Sequence, residues 1–166
     1  MTADLLKRFG WFALFLLAQV VLLQQIHLFG VATPFLYVYF VLQFPRTLSK
    51  WSTLLWGFSL GLLVDIFANT PGVAAASLTL LTAIQPYYLG LFVSQDAPAD
   101  LRPSLKTMGF IKYTIYSATM VLLFCVVFFS LEQFSFFHIL HWLMCVIGSA
   151  VITLLLIYSY EFAKKK

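Results

Sequence analysis

The chain has 166 residues, of which 62% are hydrophobic and 10% charged, and its formal net charge is +4. A soluble domain of this size leaves too much surface facing water to hide so much apolar area, which excludes a soluble enzyme or binding module and makes an integral membrane protein the expectation. Each crossing of a hydrocarbon layer about 30 Å thick takes about 20 mostly apolar residues. The sequence therefore has room for one all-α transmembrane domain over residues 1–166 and for little extramembrane mass.

Six apolar runs follow in order, at 11–28, 32–44, 51–67, 72–93, 108–131 and 136–160. The first lies behind Lys7 and Arg8, as a signal peptide would. The QQIHLFG that ends it offers no small-x-small cleavage pattern, so an uncleaved helix is expected. The second run is short and closes at Pro45, a length that suits a re-entrant or interfacial segment as well as a span. The third and fourth form a hairpin through ANTPG. After them SQDAPADLRPSLK, residues 94–106, is the longest polar segment, expected to be a loop and a natural docking surface.

Charge placement bears on the short second run. If all six runs cross, one side of the membrane receives Lys7 and Arg8, Arg46 and Lys50, Arg102, Lys106 and Lys112, and the closing Lys164, Lys165 and Lys166. These are all ten basic residues of the chain, and the opposite turns hold none. Such asymmetry follows the positive-inside rule and predicts six transmembrane helices with both termini cytoplasmic. The net charge then reflects topology and attraction to anionic lipid headgroups, with no nucleic acid expected as a partner.

Within the third run Gly57, Gly61 and Asp65 recur every four residues and share one helical stripe. Gly57-x-x-x-Gly61 is the small-residue device by which helices approach closely in lipid, suited to packing the bundle or to binding a partner helix. Asp65 is the one acid inside an apolar run, where a carboxylate is costly and a functional candidate. A rise of about 1.5 Å per residue puts it roughly 21 Å from Trp51, near the far edge of the hydrocarbon. Two roles stay open for it. Either it accepts hydrogen bonds within the hairpin turn, with Thr70 as a cap and Pro71 at the first position of the next helix before Gly72 and Val73, or it wets the mouth of a cavity. Such a cavity would be lined by Ser77, Thr82 and Gln85 of the fourth run, which Pro86 is expected to kink.

Other chemistry is sparse. His138 and His141 stand three residues apart, as two metal ligands do, but no third ligand accompanies them, and with Phe136, Phe137 and Trp142 they suit an aromatic interfacial belt. His27 is likewise read as interfacial. Cys125 and Cys145 each lie in an apolar run and are expected to behave as small hydrophobes. Asp4, Asp96, Asp100, Glu132 and Glu161 are placed at span ends or in loops. With no nucleophile-base pair, paired carboxylates or phosphate-binding glycine loop, no catalytic residue, metal or cofactor is expected.

The stretch GLLVDIFANTP, with Gly61, Asp65 and Pro71, followed by AAAS, resembles the signature of the MreD family of bacterial rod-shape proteins. The chain is similar to that family also in size, in the basic start of its first helix, in a short second run between Pro34 and Pro45-Arg46, and in its basic tail. The resemblance implies a fold like the six-helix substrate-binding subunits of energy-coupling-factor transporters, placed in the bacterial cytoplasmic membrane. It implies a non-enzymatic scaffold that binds an MreC-like single-span partner and, through it, a SEDS glycosyltransferase and a transpeptidase that elongate peptidoglycan and keep cells rod-shaped. Copies of the chain associating within that complex are compatible with it. A different class of function is a small-molecule- or lipid-binding subunit of an energy-coupling-factor-type transporter, to which Asp65, Gln85 and Pro86 point. A third is an intramembrane metalloenzyme using His138 and His141.

Overall fold

A computed structural model describes residues 2–23, 33–93, 98, 100–133 and 139–165. Among them every regular element is helical: α1 Thr2–Leu17, which passes into a π-helical stretch at Ala18–Leu23, then α2 Val38–Leu42, α3 Lys50–Ala68, α4 Val73–Phe92, α5 Leu105–Met108, α6 Phe110–Gln133 and α7 Ile139–Lys165. By length and apolar composition α3, α6 and Ile139–Lys164 within α7 are each able to cross a membrane, and Arg8–Val21 forms a shorter apolar helix. α4 has the length, at 20 residues, but carries five polar or helix-bending side chains in Ser77, Thr79, Thr82, Gln85 and Pro86. Phe58, Ile66, Ile111, Leu140 and Leu155 are among the large apolar side chains left exposed on the outside of these helices. Such a surface fits lipid and not water, and the protein is a membrane protein.

Local sequence sets the helix ends. Ser49 caps α3 by accepting from the Ser52 N–H at 3.3 Å, and Asn69 ends that helix in the left-handed region at φ 56°. The polar segment between α4 and α6 contains one exception to the expected loop: Ser104 and Thr107 form a capping box that starts the one-turn helix α5. At about 1.5 Å per residue the 27 residues of α7 extend about 40 Å, longer than the hydrocarbon is thick, so its final basic turns reach past the apolar layer.

The five longer helices close into a ring. Phe9 and Phe12 of α1 meet Trp56 of α3 with ring centroids 5.2 and 5.5 Å apart. α3 packs on α4 along its length. α4 meets α6 where Tyr88 stacks on Tyr116, α6 packs on α7, and Trp11 of α1 meets Tyr160 of α7 at 6.0 Å. Inside the ring runs the short second segment, and this departs from the expected spanning helix over 32–44. Only Val38–Leu42 is helical, and Phe35, Tyr37 to Leu42 and Phe44 are all buried. Phe35 packs among Phe124, Phe128 and Phe129 of α6, while Phe40 lies against Phe12 and Trp56. The run is apolar because it is the core of the bundle.

Non-helical backbone at membrane depth survives only where protein supplies its hydrogen bonds. Here side chains from the surrounding helices supply them. Gln19, in the π-helical stretch, donates to the Pro34 carbonyl at 2.9 Å and accepts from the Leu36 N–H at 3.1 Å. Ser149 and Thr153 of α7 accept from the Thr33 and Phe35 N–H groups, both at 3.0 Å. At the other end Gln85 donates to the Phe44 carbonyl at 3.1 Å, and Tyr116 donates to that of Leu42 at 3.4 Å. The contacts climb α7 from Ser149 to Glu161 in step with the segment, a distance of about 18 Å, so segment and helix run in the same direction.

Gln19→Leu should lower stability by about 2 kcal/mol, since it leaves a buried carbonyl and a part-buried N–H unpaired while membrane reference states recover part of such losses. Unfolding in mixed micelles by a denaturing detergent measures this. An unchanged midpoint would show that the amide does not hold the segment.

Candidate functional site

Asp65 lies at the end of α3 and is 5% exposed. One carboxylate oxygen accepts from the Thr70 hydroxyl at 2.6 Å and the Ala74 N–H at 2.9 Å, and the other from the Ala75 N–H at 2.8 Å. Ala74 and Ala75 are the second and third residues of α4, whose own N-cap position is Gly72 at φ 78° with no side chain to offer. The carboxylate of one helix thus caps the next, facing its free N–H groups and the positive end of its dipole. Of the two roles open for Asp65, the turn role is the one its hydrogen bonds fill. Pro71 is displaced from its expected place, because α4 starts two residues later at Val73 and Pro71 belongs to the turn. Pro71, Gly72 and Asp65 border a shallow surface depression at the hairpin tip.

Gly57 and Gly61 face α4. A Cβ on Gly61 would lie 2.5 Å from the Ala75 Cα and 2.7 Å from the Ala74 carbonyl oxygen, and one on Gly57 would run into the Thr82 side chain. Their close approach is spent inside the chain, so of the two uses open to these glycines, packing within the bundle is the one this contact fills.

The expected cavity residues of α4 are likewise occupied. Ser77 and Thr82 are buried and donate to the Val73 and Leu78 carbonyls one turn back. Gln85, 1% exposed, bonds the Phe44 carbonyl and the Tyr116 hydroxyl at 3.1 Å each, and Pro86 lies within α4 beside it. Leu60, Leu78, Leu81, Tyr116, Met120 and Phe124 are fully buried in the same core. His138 and His27 fall outside the described residues. His141 has Cys145 as its neighbour, Nε2 to Sγ 3.6 Å, and among the described residues no three potential metal ligands gather.

A second polar constellation lies at the basic end and was not foreseen. Glu161, expected at a span end, is 3% exposed. Its Oε1 accepts from the Tyr39 hydroxyl and from Gln43 Nε2 at 3.2 Å, and its Oε2 from the Leu105 N–H at 3.3 Å. Gln43 also donates to the Pro103 carbonyl at 2.8 Å. Beside this cluster a pocket of about 250 Å³ is walled by Trp11, Phe15, Tyr39, Phe40, Phe44 and Tyr160 and rimmed by Arg8, Arg102 and Lys164. The sequence carried one signal for it: Cys145, Ser149, Thr153, Ile157 and Glu161 recur every fourth residue and form the buried face of α7.

No known protein family, curated protein or solved structure matches this chain. What the site defines is a membrane bundle whose internal polar groups fasten backbone.

Proposed function

We propose that the chain is a non-enzymatic membrane scaffold of the MreD kind, crossing the bacterial cytoplasmic membrane six times with both termini inside. In this reading the second crossing is the buried segment 33–44, carried through the bundle within the other five. The fold then corresponds to that of the energy-coupling-factor substrate-binding subunits, and the chain binds an MreC-like single-span protein within the complex that elongates peptidoglycan.

The observation that carries this reading is the use made of the polar side chains. Asp65, Thr82, Gln85, Gln19, Ser149 and Thr153 each bond the protein's own backbone, or a side chain beside it. Such an interior suits a rigid body that holds other proteins better than it suits a carrier that opens around a solute. With Gly57 and Gly61 turned inward, the contact surface in this reading is the outer face of α4. There a shallow apolar groove between Phe58, Leu62 and Leu80 has a floor of Ala75, Ala76, Thr79 and Ala83, small residues that let a single helix approach closely.

Affinity purification from native membranes tests it, comparing the wild type with Ala76→Leu, Ala83→Leu. Recovery of a single-span partner that the variant loses is expected. Recovery of an ATPase module and its coupling subunit would replace the scaffold reading with the transporter one.

A further inference from the structure

We propose that the pocket at the basic end of the bundle binds a phosphate-bearing amphiphile, its phosphate held by Arg8, Arg102 and Lys164 and its apolar part lying on Trp11, Phe15, Phe40 and Phe44. The site is separate from the α4 groove and does not rest on the scaffold reading. Three features carry it.

The first is charge. The pocket lining brings together three cations from three distant parts of the chain, from α1, from the segment before α5 and from α7, and among the described residues it includes no carboxylate. Glu161 does not line this pocket but borders a smaller one beside Lys164, and its oxygens are taken by Tyr39, Gln43 and the Leu105 N–H. Cations gathered without an acid among them repel one another, and an anion relieves that repulsion. Phosphate suits the set, since a guanidinium fork matches its oxygens in pairs and lysine adds a point charge.

The second is that the rim is built. Arg102 is exposed, but its backbone is fixed on both sides: its own carbonyl accepts from the Thr107 hydroxyl at 2.8 Å, and the next carbonyl, of Pro103, accepts from Gln43 at 2.8 Å. The buried Tyr39–Gln43–Glu161 cluster therefore sets where one of the three cations stands. The others sit on helices whose seam is the Trp11–Tyr160 contact.

The third is shape and place. Six aromatic rings wall a space of about 250 Å³, somewhat below the range of about 300–1,000 Å³ for sites that enclose a whole drug-sized ligand. It holds a headgroup and the start of a tail. Its tryptophan, tyrosine and basic residues are the set that marks a membrane interface, and basic pockets between helices on the positive side are where anionic headgroups lodge.

Native mass spectrometry of the delipidated full-length protein tests this with phosphatidylglycerol, with a nonionic glycolipid of the same chains, and with inorganic phosphate as competitor. One phosphatidylglycerol is expected to remain bound per chain. The triple variant Arg8→Gln, Arg102→Gln, Lys164→Gln should weaken it tenfold or more, and Trp11→Ala severalfold. The equally discharged control Arg46→Gln, Lys50→Gln, Lys112→Gln should change it less than twofold. Thermal unfolding of each variant in the same detergent reports folding separately. Failure of millimolar phosphate to compete assigns the site to a lipid headgroup, whereas competition assigns it to soluble phosphate compounds and keeps the phosphate site. Equal losses in the two triple variants, or equal retention of the glycolipid, would overturn the proposal.

Discussion

Replacing Asp65 by alanine should destabilise the folded protein by about 4 kcal/mol, read as a shift in the midpoint of detergent-driven unfolding. Two buried backbone N–H groups lose a charged acceptor, each such bond contributing about 1.5–3 kcal/mol, and Gly72 has no side chain to take over at the N-cap. Thr70 would be freed as well, but its hydroxyl is part-buried and finds water more easily. Asp65→Asn should cost about half as much, because one oxygen remains as an acceptor while the other becomes a donor facing an N–H. If Asp65→Ala unfolded with the wild type, the carboxylate would not be what joins the two helices, and a role in ligand or partner binding would regain its place.

The second large effect belongs to Gly61. Gly61→Leu should cost about 5 kcal/mol or leave no folded protein, well beyond the 1–3 kcal/mol of ordinary overpacking. The added Cβ alone lies 2.5 Å from the Ala75 Cα and 2.7 Å from the Ala75 N, and backbone has no rotamer through which to move aside. Gly57 is the internal comparison. Its obstacle is the Thr82 side chain, which is able to turn or be removed, so Gly57→Ala should cost about 1–2 kcal/mol and recover most of that when combined with Thr82→Ala. Equal tolerance at the two positions would mean that α3 and α4 separate readily.

Much of this was legible in composition and spacing. The apolar runs located α3, α4, α6 and α7 to within a few residues, because a long helix in lipid needs little besides length and apolar side chains. The stripe of Gly57, Gly61 and Asp65 was readable as one face. What it faced was not, since four-residue spacing says that residues align and not which neighbour they meet. The second run failed differently. Hydropathy scores 35–42 the same whether lipid or protein surrounds it, and it takes distant residues such as Gln19, Tyr116 and Thr153 to reveal that its backbone is bonded by side chains. Glu161 was readable only as an acid at a span end, because the apolar run stops at 160, whereas α7 continues to Lys165 and keeps it beneath Leu105 and Gln43.

The buried second segment also has a consequence for biogenesis. A stretch with a five-residue helix and unpaired backbone before it enters a bilayer at high cost when alone. Its acceptors at Ser149 and Thr153 belong to α7, 116 and 118 residues further along the chain and so synthesised after the rest of the ring. The ring is therefore completed from its far end. Until α7 emerges, the N–H groups of Thr33 and Phe35 lack these acceptors, and the nascent chain depends on the insertion machinery, or on the open bundle itself, to shelter them. Loss of the C-terminal helix would on this account expose the heart of the molecule, not its edge, and make a truncated chain a substrate for membrane quality control.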